Sequence, residues 1–122
     1  MDSERQFEVD KKFQKELNAG TGALLLLSTL KKSGKPLYGY QIAKLIEGSH
    51  EKGQVIKLGT LYPVLRSLED NRLLSSEVEP SVSGPPRRYY QITEEGKKTL
   101  KRWIGIWSYT KDFLDKTIME GK

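Results

Sequence analysis

A proline stands inside a helical leucine pattern: Pro63 falls within Lys57-Leu58-Gly59-Thr60-Leu61-Tyr62-Pro63-Val64-Leu65-Arg66-Ser67-Leu68-Glu69. Leu61, Leu65 and Leu68, with Val64 beside them, recur at the three- and four-residue spacing that lines one side of a helix. A helix accepts proline where its missing N–H had no intrahelical partner, which is within the first turn. The pattern therefore predicts a short helix with Pro63 in its opening turn and Thr60 as its N-cap. The leucines are its buried face, and Thr60, Tyr62, Pro63, Arg66 and Ser67 are left outside. Those hydroxyls, the guanidinium and the apolar ring suit base edges and phosphates, presented as helix-turn-helix proteins present their reading element. A surface helix of no further role can expose similar groups, so the neighbouring segments have to decide.

The chain has 122 residues and no obvious linker, enough for one domain with a modest core and an appended piece. Lys and Arg number 21 against 16 Asp and Glu, a net charge of +5 that favours an anionic partner without naming it. DNA, RNA and an acidic membrane surface all satisfy that charge. With no cysteine there is no disulfide, thiolate zinc site or thiol nucleophile. The longest apolar run, Ala23 to Leu27, is too short to span a bilayer, and the charged amino end does not read as a signal peptide. The expected location is the cytoplasm.

Residues 4–18 read as a charged amphipathic helix with Val9, Phe13 and Leu17 in its stripe and Phe7 extending it. Asn18-Ala19-Gly20-Thr21-Gly22 is the expected break after it. Ala23 to Leu30 is apolar nearly all round, as a central buried helix should be, and Lys31 to Pro36 supplies its stop. A nucleotide-binding glycine loop at Gly20-Thr21-Gly22 is discarded, because no strand precedes it and Leu25 occupies the third glycine's place. Leu37 to Glu47 reads as the positioning helix, with Ile42, Leu45 and Ile46 inward and Tyr40, Gln41 and Lys44 outward. The connection from Gly48 to Lys57 is long for a simple helix-turn-helix and holds the only histidine, His50, which has no second metal ligand nearby.

Leu74 to Glu79 alternates as a half-buried strand, and Arg87 to Ile92 is a second, aromatic-rich one. Between them, Pro80-Ser81-Val82-Ser83-Gly84-Pro85-Pro86 forms the tip of a β-hairpin wing that can lie along a duplex backbone. Thr93-Glu94-Glu95-Gly96 opens the last helix, with a threonine cap and two acids at the positive end of the helix dipole. It runs to about Ile118. Leu100, Trp103, Ile104, Trp107, Phe113, Leu114 and Ile118 make one side more apolar than a small winged domain can cover, which predicts a second subunit.

Four segments, in order and spacing, resemble the PadR family of transcriptional regulators: Leu37-Tyr38-Gly39-Tyr40-Gln41-Ile42, Gly59-Thr60-Leu61-Tyr62-Pro63-Val64-Leu65, Leu68-Glu69, and Gly84-Pro85-Pro86-Arg87-Arg88-Tyr89-Tyr90-Gln91-Ile92-Thr93-Glu94-Glu95-Gly96. The likeness spans about residues 20–118. It implies a mainly α fold with a small β-hairpin wing, divided as an amino-terminal amphipathic helix (1–19), a winged helix-turn-helix domain (20–93) and a carboxy-terminal dimerisation helix (94–122). The short carboxy-terminal part resembles the subfamily with a single dimerisation helix. The resemblance further implies a homodimer that represses by binding a palindromic operator in double-stranded DNA and releases it when a small aromatic molecule binds. Carried over by position, Tyr38, Tyr40, Gln41, Thr60, Tyr62 and Arg66 contact DNA, as does Arg87 in the wing.

Lys44, Lys57 and Pro63 join that expected DNA surface from the residue pattern itself. Trp103 and Trp107 lie four apart on one side of the last helix, where they serve either as dimer core or as the wall of a ligand cavity. Trp107 falls where drug-binding members of the family place a tryptophan at the dimer centre. A winged-helix module that docks another protein is the alternative, and it would prefer an apolar patch beside the reading helix. Lys44, Lys57, Arg66 and Arg87 favour DNA. No nucleophile or acid–base set can be assembled, so neither an enzyme nor a cofactor or metal requirement is expected.

Overall fold

The computed structural model describes residues 2–48 and 58–120. Among them the elements run α1 (Ser3–Ser33), β1 (Leu37–Tyr38), α2 (Gly39–Gly48), α3 (Leu58–Asp70), β2 (Leu74–Glu79), β3 (Arg87–Ile92) and α4 (Glu94–Glu120). This is a mainly helical winged fold with a small antiparallel sheet in the order β1-β3-β2. Lys57 and His50 lie outside the described residues.

The break expected at residues 18–22 is absent, because α1 runs through it without interruption. Each glycine costs a helix only about 1 kcal/mol, and no proline is present to remove a bond outright. Asp2 caps the start, its carboxylate accepting from Arg5 N–H at 2.8 Å, and Gly34 at φ 67° ends the helix in the left-handed conformation. Inside the weak stretch the Thr21 hydroxyl donates back to the Leu17 carbonyl at 3.1 Å. The carboxy-terminal half of α1 is the centre of the core. Leu26, Leu27 and Leu30 are buried against Leu37, Ile42, Ile46, Leu61, Leu65, Leu74 and Leu100. Each such side chain contributes about 1.5–3 kcal/mol by leaving water. Leu25 remains on the surface, so the helix is not buried all round.

Leu37 and Tyr38 are not the first turn of α2. They pair with Tyr90 and Tyr89 of β3 as the third strand. The Tyr38 N–H instead donates to Oε1 of Gln41 at 3.1 Å, the N3-to-N-cap half of a capping box, and the helix begins at Gly39. Ile42 and Ile46 point inward as expected, with Ala43, whereas Leu45 is 52 % exposed. Three inward positions already fill the stripe facing α1 and α3, and Leu45 falls outside it.

In α3 the leucine stripe is buried as read, and Thr60, Tyr62, Pro63, Arg66 and Ser67 are exposed. The start differs. The helix opens at Leu58, so Thr60 is inside it and Pro63 lies in its second turn. Proline there forfeits one backbone bond, while Leu61 and Leu65, both with 0 % exposure, hold the segment against the core. The helix ends in a Schellman motif, with Leu73 N–H donating to Leu68 O and Arg72 N–H to Glu69 O, each at 2.9 Å. Arg72 takes the left-handed position at φ 63°, where glycine is usual.

Both wing strands have their expected bounds, registered from Leu74 opposite Ile92 to Glu79 opposite Arg87. Thr93 then ties three elements together. Its hydroxyl accepts from Gly96 N–H at 2.9 Å to cap α4 and donates to Arg72 O at 2.8 Å, and its N–H donates to Leu73 O.

Candidate nucleic-acid interface

Strand alternation, helix pitch and one close glycine contact place the expected site residues. Tyr62 and Arg66, four apart, share the side of α3 that faces the wing. There they line a cavity of about 420 Å³ together with Glu69, Arg88 and Tyr90. Tyr62 is also a packing residue, since a β-carbon on Gly39 would come within 2.9 Å of its ring and hydroxyl. The absence of a side chain at Gly39 therefore lets the start of α2 approach α3. Pro63 is one residue round the helix and opens onto a different cleft, between α3, α1 and α4, with Ser67, Asn71 and Arg102 in its walls.

Tyr38 and Arg87 meet directly, although they are far apart in the chain. The guanidinium carbon lies 4.5 Å from the ring centre, and Tyr89 packs edge-on to the same ring at 5.4 Å between centroids. Such a stack contributes about 0.5–1 kcal/mol at an exposed site. On α2 the Lys44 ammonium sits 5.5 Å over the Tyr40 ring, and Tyr40 is 52 % exposed. Gln41 spends its amide oxygen on the Tyr38 cap, which leaves its NH₂ group as the donor it can still offer. Thr60, in the first turn of α3, is exposed.

The residues missed from sequence are those on the inner side of the wing. Arg88 donates from Nη1 to Ser76 Oγ at 2.9 Å, and Ser76 donates to Glu69 Oε2 at 2.5 Å. Burial, with Glu69 acting in the same sense, pushes the Tyr90 phenol above its ordinary value despite Arg88 and Arg66 nearby, so it is neutral at physiological pH. Period-two alternation along Arg87-Arg88-Tyr89-Tyr90 would have put Arg88 and Tyr90 on one face, but not their partners Ser76 and Glu69.

The two tryptophans do share a wall. Trp103 is partly buried on the core and Trp107 is 40 % exposed, and both line an apolar groove of about 300 Å³ with Gly20, Thr21, Ala23 and Leu24 of α1. Ile106 lines it as well, and beyond it Tyr109, Phe113, Leu114 and Ile118 are exposed on α4, as are Phe7, Val9, Phe13 and Leu17 on α1. Among the described residues no group of His, Cys, Asp or Glu is arranged to hold a metal, and no helix is long and apolar enough to cross a membrane.

Residues 26–102 match the family described as the transcriptional regulator PadR-like family. A PadR family transcriptional regulator from Eggerthella lenta is 33 % identical, with a TM-score of 0.77 over 95 % of this chain and 97 % of that one. A transcriptional regulator from Clostridium thermocellum is also 33 % identical, with a TM-score of 0.74 over 83 % of this chain and 96 % of that one. PadR of Bacillus subtilis, solved in complex with operator DNA, shares the fold at 23 % identity and a TM-score of 0.60, over 67 % of this chain and 45 % of that one. No curated protein matches the chain. With its family's pattern spanning most of its length and two relatives a third identical over 83 % and 95 % of it, the chain belongs to the PadR-like family of transcriptional regulators.

Proposed function

We propose that the protein binds double-stranded DNA as a homodimer, laying α3 in the major groove and the wing along the adjoining backbone, and represses transcription from a palindromic operator. The observation that carries this reading is the gathering of Tyr62 and Arg66 from α3 with Arg88 from the wing around one cavity, where two guanidinium groups face a single carboxylate, Glu69. None of the large exposed apolar side chains of α4 and of the amino-terminal half of α1 lines that cavity, which favours DNA there over protein docking. That the Bacillus subtilis relative was solved on operator DNA supports the same use of the shared fold. The apolar stripes on α1 and α4 supply a dimer contact, and two reading helices held by a two-fold axis address half-sites about 34 Å apart. Thr60, exposed in the first turn of α3, completes the proposed surface. A planar aromatic molecule stacked on Trp107 is proposed to release DNA to the extent that it binds the non-operator arrangement more tightly.

The experiment is a gel shift on the DNA immediately upstream of the protein's own gene, with Arg66→Ala and Tyr62→Phe beside the parent. Tyr62→Phe keeps the ring against Gly39 and removes only the hydroxyl. Each variant is expected to lose about 1–3 kcal/mol of operator binding without losing the fold. Equal binding by both variants and the parent means that α3 is not the reading helix.

A further inference from the structure

Alternation along β3 sends its two arginines to opposite faces of the sheet. Arg87 shares a face with Tyr89 and is stacked on Tyr38. Arg88 shares the other with Tyr90 and opens onto the cavity between α3 and the wing, whose far wall carries Tyr62, Arg66 and Glu69. The Ser76 hydroxyl, itself anchored on Glu69, holds one Arg88 nitrogen and leaves the remaining N–H groups of the fork to the cavity. Two guanidinium charges face one carboxylate there, so the cavity keeps a net positive charge.

A helix seated in a major groove and a hairpin beside it must have a sugar-phosphate strand between them. The crevice between α3 and the wing is that space, and a planar guanidinium matches a phosphate by paired N–H donors. We infer that Arg66 and Arg88 together clamp one backbone phosphate of double-stranded DNA in each subunit, with Ser76 and Glu69 as positioning residues, while Arg87 ties the wing to Tyr38. This rests on the DNA reading above and assigns its backbone contact.

The test measures binding of a short mixed-sequence duplex across a salt series, because non-specific affinity is almost wholly phosphate contact. The Arg66→Ala/Arg88→Ala double variant flattens the slope of log K against log[salt] by about 0.9 per subunit, one phosphate's worth. Arg88→Ala alone flattens it more than Arg87→Ala does. Arg88→Gln, which keeps a donor for Ser76 and removes the charge, gives the same shift and stands in if Arg88→Ala melts early. Ser76→Ala weakens binding at a fixed salt concentration with the slope unchanged, since the charges remain.

An Arg88→Ala slope equal to the parent's overturns the clamp, as does an Arg87→Ala shift as large as that of Arg88→Ala. A double-variant shift near 1.8 per subunit, twice the single-phosphate value, also overturns it by requiring two separate phosphates. Parent-like binding by Ser76→Ala removes the positioning role. A parent that binds no duplex at low salt overturns the DNA reading itself, which keeps the two failures distinct.

Discussion

The backbone of Leu73 lies against Gly96 so closely that a β-carbon there would overlap the Leu73 carbonyl oxygen and stand 2.7 Å from Cγ1 of Ile92. That carbonyl accepts from Thr93 N–H, and Thr93 caps α4. The contact thus joins the turn after α3 to the start of the last helix. Gly96→Ala is expected to destabilise the fold by about 3 kcal/mol, because the obstacle is backbone and cannot rotate away. Thermal unfolding at fixed protein concentration should show a melting temperature lower by roughly 10 °C. A variant that melts with the parent would mean that the α3–β2 turn and α4 move apart freely.

Arg72 occupies a left-handed backbone position at φ 63°, the place where glycine is usual at a helix end. Arg72→Gly should stabilise the protein by about 1 kcal/mol, since an L side chain there carries a penalty of roughly that size. The Schellman bonds and the Thr93 hydroxyl bond to the residue 72 carbonyl use backbone atoms and survive the change. Chemical denaturation resolves a gain of this size as a shifted midpoint.

Tyr90 has its phenol held above the ordinary value by burial. A raised folded-state value means that its contribution is complete below the unfolded value of about 10 and is lost as pH rises through the folded one. Melting temperatures of the parent and Tyr90→Phe should run parallel from neutral pH to about 9 and diverge above 10, the parent falling faster. Parallel curves throughout would show that the phenol ionises as freely in the folded protein as in the unfolded chain.

The exposed apolar positions allow a direct test of self-association. Removing everything from residue 100 onward would also take Leu100 and Trp103, which belong to the core. Phe113→Asp combined with Ile118→Asp instead places charge on the exposed stripe alone. Sedimentation should give a dimer for the parent and a folded monomer for the variant. A parent that is monomeric at micromolar concentration would rule out the proposed assembly.

Trp107 is the half-exposed wall of the groove between α1 and α4. Planar aromatic compounds are expected to quench the tryptophan fluorescence of the parent, and Trp107→Ala should abolish their effect on DNA binding while Trp103, anchored on the core, retains its emission. If Trp107→Ala dissociates the dimer and no planar compound quenches the parent, both tryptophans are packing residues.

The parts of this protein determined by sequence alone are those set by neighbours in the chain. Leucine spacing defined the buried face of α3, alternation gave both wing strands their bounds, and the Thr93 hydroxyl with two following acids marked the start of α4. Each depends on backbone geometry within a turn or two. Tertiary structure decided what depended on distant partners. The weak stretch at residues 18–22 stays helical because α1 packs against α2, α3, α4 and β3, which outweighs a local cost of about 1 kcal/mol per glycine. Leu37 and Tyr38 extend because Tyr90 and Tyr89 lie alongside to pair with them, fifty residues on in the chain. The α3 segment is helical ahead of Pro63 because burial of Leu61 and Leu65 offsets one missing bond. Arg66 and Arg88 face one cavity only after the hairpin folds beside α3, a juxtaposition that no local spacing encodes.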